Sequence, residues 1–181
     1  MMAATHQLLG LSFALGTITL TNNTHAELNS PLEYGVFISS VLFGALLPDI
    51  DEPHSKLGRK LPLIAYPMNW FFGHRHITHS ILFILLTTIL GVLLSFAFKW
   101  TLILPLGLGI GVFSHILGDY LTNSGVPLFA PLTKKRYKFI FTFKTGGFIE
   151  KIVGILLIAV NAQFIIHFYQ QGIIFHFLQG K

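Results

Sequence analysis

Apolar residues fall in five long runs, at 7–21, 31–47, 78–98, 102–121 and 149–169, separated by polar segments. A helix needs about 20 residues to cross a hydrocarbon core, and each run meets or approaches that length. The first run is the shortest. The pattern predicts an all-α polytopic membrane bundle of about five transmembrane helices, in one membrane-embedded domain over residues 1–181. Small residues recur inside the runs, as at Gly107, Gly109 and Gly111. In lipid such residues let helices approach closely. Two longer connecting segments, 48–77 and 122–148, are rich in Pro, Gly, Lys and aromatic residues. Within the first, 61–72 is apolar but contains Pro62 and Pro67. It reads as a short interfacial or re-entrant segment, with Trp70 suited to the headgroup region.

Composition agrees. Of 181 residues, 52% are hydrophobic and only 10% are charged. Soluble domains carry about 25% charged residues. There is no cysteine, which excludes disulfides, thiolate metal sites and cysteine nucleophiles. Any metal must be held by His, Asp or Glu. The first nine residues contain no Lys or Arg, so the basic region of a cleavable signal peptide is missing and the first helix is expected to be retained.

Charge then gives the bundle a direction. With five spans, the N-terminus and both longer loops share a side. That side holds Lys56, Arg59, Lys60, Arg75, Lys134, Lys135, Arg136, Lys138, Lys144 and Lys151, against Lys99 and Lys181 on the other. The positive-inside rule places the basic side in the cytoplasm. The expectation is a multi-pass membrane protein with a cytoplasmic N-terminus and an outside C-terminus. The run 134–138 (KKRYK) reads as a topology signal and a contact for anionic lipid, and nucleic acid is not an expected partner.

The scarce polar residues follow the same direction. His6 opens the first run, and Asp49 and Asp51 close the second. His74, His76 and His79 lead into the third. His115 and Asp119 lie in the last turns of the fourth, and Glu150 opens the fifth. Helices alternate in direction, so all these groups belong to one face. Paired carboxylates such as Asp49 and Asp51 can chelate one cation or bridge two, or form a solvated turn. Imidazole is the commonest metal ligand near neutral pH. Thr78 is placed to N-cap the third helix. Arg75 offers a guanidinium fork for phosphate, or a topology charge. His115 and Asp119 are four residues apart and share a helical face. Ionisable residues bordering a span are costly, and are functional candidates for that reason. The other reading of this pair is a hydrogen-bonded tie between helices. Taken alone, His6 is incidental and Glu150 complements a helix dipole; both gain meaning from the shared face. His25, His167 and His176 read as structural or interfacial, and His54 is left open. Thr5–His6 with Asp49/Asp51, and Thr78–His79 with Asp119, form a weak internal echo of a two-helix unit.

At these residues the chain resembles the YdjM-like family of bacterial membrane proteins, described as predicted metal-dependent hydrolases. The resembling blocks are Thr5–His6, 46–53 (LLPDIDEP), 73–80 (GHRHITHS), 114–122 (SHILGDYLT) and 145–150 (TGGFIE). The family's third block usually has a small residue where His76 stands here. A more distant similarity runs to zinc-dependent phospholipase C and P1-type nucleases, which hold three zinc ions. It implies that His115 and Asp119 match a recurring ligand pair, that Glu150 matches a late Glu ligand, and that the chemistry is phosphoester hydrolysis.

The first expectation is therefore a hydrolase at the cytoplasmic face, using one to three divalent ions. Zinc suits mixed imidazole and carboxylate ligands, with manganese or iron as alternatives. The candidate metal ligands are His6, Asp49, Asp51, His74, His79, His115, Asp119 and Glu150. Asp49, Asp51, Glu150 and Arg75 are the candidate catalytic groups. An amphiphilic phosphoester, such as a phospholipid, is the expected substrate class. The alternatives are a metal-ion or proton-coupled transporter, for which only Asn161 and Gln163 offer midplane polarity, and a noncatalytic membrane scaffold.

Overall fold

The computed structural model describes residues 1–23, 28, 30–72 and 75–171. Six α-helices occur among them: α1 (Ala3–Asn23), α2 (Pro31–Gly44), α3 (Pro62–Phe72), α4 (Ile81–Phe98), α5 (Ile103–Tyr120) and α6 (Phe148–Gln170). The five expected spans correspond to α1, α2, α4, α5 and α6, and α3 is the proline-bearing segment between the second and third. Three helices, α4, α5 and α6, are long and apolar enough to cross a membrane, and α2 is a shorter apolar helix.

Two boundaries differ from the sequence expectation. α2 stops at Gly44 rather than Leu47, and residues Leu47–Asp51 wind into a tighter 3-10 turn. Pro48 explains both facts. It disfavours α geometry in the residue before it, and it sits near the start of the 3-10 turn, where its missing N–H costs nothing. α4 starts at Ile81, capped by Ser80, whose Oγ accepts from the Phe83 N–H at 3.3 Å. Thr78 is not the cap. It lies in a second 3-10 turn, Ile77–His79, and its hydroxyl is used elsewhere.

α5 is the central element. It packs on α2, α1 and α4, and α1 also packs on α2 and α6. Over their most apolar windows, α5 is 56% buried, against 6% for α4 and 11% for α6. One core joins Ala14, Leu15 and Ile18 of α1 to Phe37 and Val41 of α2 and Phe168 of α6. The α2–α5 crossing depends on small residues. A Cβ on Gly111 would run into the Val41 carbonyl, and one on Gly44 into the Leu108 carbonyl. The glycine pattern thus does what it predicts in lipid, bringing two backbones together.

The segment between α5 and α6 folds over the end of α5. Val126 and Tyr137 exchange two backbone hydrogen bonds of 2.8 Å, and the Phe139 N–H donates to the Tyr120 carbonyl at 2.9 Å. Val126 seals a second small core with Val112 and Ile116. On the other flank, α3 packs against the Leu47–Asp51 turn. Its Ala65 is buried while Leu63, Tyr66, Trp70 and Phe71 face outward.

Candidate metal centre

Helix alternation brings the expected groups to one end of the bundle. His6 comes from the first turns of α1, Asp49 and Asp51 from the turn after α2, His79 from the turn before α4, and His115 and Asp119 from the end of α5. His6, Asp51, His79, His115 and Asp119 are essentially fully buried. Asp49 retains 18% of its side-chain exposure.

His79 and His115 are fixed by their neighbours. The Thr78 hydroxyl donates its one proton to Asp51 Oδ2. The 2.9 Å contact between Thr78 Oγ1 and His79 Nδ1 must therefore have His79 as the donor. His115 Nδ1 lies 2.7 Å from the Ala45 carbonyl, which can only accept. That carbonyl is available because α2 has just ended and its last carbonyls lack helical partners. In the neutral rings both Nδ1 atoms carry the protons, so both Nε2 atoms carry lone pairs. These two Nε2 atoms are 3.3 Å apart.

Carboxylates surround that point. Asp49 Oδ1 is 3.7 Å from His79 Nε2 and 3.6 Å from His115 Nε2. Asp119 Oδ2 is 3.5 Å and 3.9 Å from the same atoms. His6 stacks on His115 with ring centroids 3.7 Å apart, and its Nε2 is 3.3 Å from Asp119 Oδ1. The Met1 amine also contacts Asp119 Oδ1. Gly118 leaves room for His6, whose Nδ1 would lie 3.2 Å from a Cβ built there.

Two overlapping ligand sets result: His6, Asp49 and His115, and His79, His115 and Asp119. Two lone pairs facing each other between two carboxylates repel unless a cation lies among them. Nδ1 of His6 is buried without a hydrogen-bond partner. Leaving such a group unmatched costs about 1–3 kcal/mol. Imidazole nitrogen and carboxylate oxygen are the donor set of zinc and related divalent ions, so the residues fit a metal.

Other expected residues are placed differently. Asp51 lies on the Nδ1 side of His79, at 3.8 Å, where it takes the Thr78 hydroxyl and the Arg75 backbone N–H. It orients a ligand from behind, an arrangement that usually raises ligand basicity. Glu150 accepts the Met2 and Gly146 backbone N–H groups, each at 2.6 Å, and is in neither ligand set. Arg75 sets Nη2 2.8 Å from Asp119 Oδ2. His76 is in neither ligand set, and His74 lies outside the described residues.

The supporting residues were not visible in the sequence as such. Thr78 was expected as a cap. Asn69, which donates to the Asp51 carbonyl at 2.9 Å, and the Ala45 carbonyl carried no signal.

At mid-bundle, by contrast, the polar groups satisfy each other. Ser12 Oγ donates to Asn161 Oδ1 at 2.8 Å, and Asn161 Nδ2 donates to the Leu8 carbonyl at 3.1 Å.

The fold and the site define a multi-pass helical membrane protein with a buried histidine–aspartate cluster at one end of its bundle. The chain belongs to the YdjM inner membrane protein family, which it matches over residues 1–178. It is 36% identical to inner membrane protein YdjM of Escherichia coli over 159 residues, 81% of this chain and 76% of that protein. The YdjM protein of Shigella flexneri matches equally. Protein YvsG of Bacillus subtilis is 39% identical over 114 residues, 61% of this chain and 66% of YvsG. No solved structure matches the chain. Family and helices together make it a multi-pass protein of the inner membrane.

Proposed function

We propose that the chain is a metal-dependent hydrolase that acts on a phosphoester at the cytoplasmic face of the membrane. One observation carries the reading. The Nδ1 protons of two buried histidines are committed to oxygen acceptors, so their Nε2 lone pairs converge with Asp49 and Asp119 on one point. His6, Asp49, His79, His115 and Asp119 would hold the ion, and zinc suits this donor set best. The chemistry such an ion supplies is Lewis acidity toward water and a phosphoryl oxygen.

The protein's own residues do the rest. Thr78 and Asp51 hold His79 in its tautomer, and Ala45 does the same for His115. Arg75 stands beside Asp119, where its guanidinium would bind a phosphate oxygen. Asp49 is the cluster member that also lines an open cleft, so substrate and water approach from its side. The distribution of Lys and Arg supports a cytoplasmic location for this end.

Elemental analysis of the full-length protein purified in detergent is the direct test. At least one equivalent of a divalent transition metal is expected, with hydrolysis in a phosphoester panel that Asp119→Asn abolishes. Protein that carries no such metal, and takes up none when offered zinc, manganese or iron, overturns the reading.

A further inference from the structure

One cleft opens onto the cluster. It has a volume of about 580 Å³ and is lined by Asp49, Glu52, Lys56, Arg59, Arg75 and the start of α1. That is the size of a small-molecule site. We propose that its mouth is a phosphate-binding subsite, in which Lys56 and Arg59 receive a phosphate-bearing anionic group and pass it to Arg75 at the metal centre. The proposal rests on the hydrolase reading and names the substrate's recognised part.

Three features carry it. First, Arg75 is built in place. Its backbone takes a left-handed conformation, φ 59°, while its N–H donates to Asp51 at 3.2 Å. Strained backbone held this firmly tends to mark functional sites. Second, Arg75 Nε and Nη1 are buried without a hydrogen-bond partner. A guanidinium that lines a cleft and keeps two unmatched donors suits an oxyanion, whose geometry it fits two bonds at a time. Third, the charges are unequal. Three cations, Lys56, Arg59 and Arg75, line the cleft against the two carboxylates of Asp49 and Glu52. Lys56 donates to Gln7 of α1 at 2.9 Å, and Arg59 Nε to the Ser55 carbonyl at 3.3 Å, so both stems are anchored at the rim.

None of the lining residues comes from the lipid-facing helices α4 and α6. Recognition is therefore of a head group. A soluble phosphoester and a phospholipid head group share that chemistry.

The test is phosphate binding by metal-loaded full-length protein in detergent, measured calorimetrically with inorganic phosphate. The double variant K56A/R59A should bind phosphate at least about tenfold more weakly, the loss expected for charge-assisted hydrogen bonds. The charge-retaining variant K56R/R59K should recover most of that affinity. K134A/K135A, which removes the same charge outside the cleft, should bind as the wild type does. Metal content, measured in each sample, should be equal throughout. Unchanged affinity in K56A/R59A, or an equal loss in K134A/K135A, overturns the proposal while leaving the metal centre intact. Absence of metal from every sample overturns the hydrolase reading instead. Competition by glycerol 3-phosphate or by phosphatidic acid vesicles then identifies the source of the phosphate. Competition by neither counts against the subsite.

Discussion

Two of the places where the bundle buries polar side chains do so in opposite ways. At mid-height, the Ser12 hydroxyl donates to Asn161 Oδ1, and Asn161 Nδ2 donates to the Leu8 carbonyl. At the end of the bundle, His6, His79, His115, Asp49 and Asp119 converge, the Nε2 atoms of His79 and His115 face each other, and His6 Nδ1 is buried without a hydrogen-bond partner. The first is a completed tie between α1 and α6. The second gathers imidazole nitrogens and carboxylates of the kind that hold a divalent ion. Buried polarity in a membrane protein is therefore informative through its satisfaction, more than through its presence. A transporter finds midplane polarity in α6 only at Asn161 and Gln163, and Asn161 is committed to a helix contact.

The sharpest way to break that comparison is to remove a ligand. His115→Ala and His79→Ala should each lower metal affinity by more than the ten- to hundredfold typical of supporting residues. Hydrolysis should fall with it, while the helical circular dichroism persists. Metal content and thermal unfolding, read together, decide the matter. A scaffold role would show as a lower melting temperature with no metal in the wild type to lose.

Next in size is the support behind His79. Thr78→Val removes the hydroxyl that links His79 Nδ1 to Asp51. Metal affinity should fall by about 10- to 100-fold, because the ring loses the contact that fixes its tautomer. Thr78→Ser should restore most of it. A helix-capping role for Thr78, as the sequence first suggests, would instead alter stability and leave metal affinity alone.

How much of this was legible follows from what each residue contacts. α4 and α6 face outward, so hydropathy alone reveals them. α5 reads the same way in sequence, yet its glycines and its His115–Asp119 end are buried by α1 and α2. The candidate ligands His6, Asp49, His79, His115 and Asp119 could be gathered by helix alternation, since a span fixes which ends share a side. Asp51 and Glu150 obeyed the same rule and sit beside the ligand sets rather than in them. Alternation sets the side and leaves the direction of each carboxylate to local packing. Ala45, Asn69 and Thr78 act through hydrogen bonds that exist only once α2, α3 and α5 have met. No spacing rule could have carried them.

The α2–α5 crossing connects the two regions energetically. Gly111→Ala would drive a methyl into the Val41 carbonyl and the Ala45 backbone N–H. Overpacking of this kind costs about 1–3 kcal/mol. The displaced Ala45 carbonyl also holds His115, so the variant should lose both thermal stability and some metal affinity. A stability loss with unchanged metal affinity would show that the crossing and the cluster are independent.

The smallest effect belongs to the satisfied pair. Asn161→Leu removes an interhelical hydrogen bond of a kind that averages about 0.6 kcal/mol in membrane proteins and reaches about 1.7. It also leaves Ser12 able to bond the Leu8 carbonyl, at 3.1 Å, so no hydroxyl is stranded. The melting temperature should fall slightly, and metal content and hydrolysis should stay at wild-type values. A transport pathway through mid-bundle would behave differently: the same variant would abolish metal flux in proteoliposomes while barely touching stability. Measuring flux and melting temperature on one preparation separates the two. Loss of metal binding on this substitution would mean that the two polar regions are one coupled network, and that satisfaction of hydrogen bonds does not distinguish them.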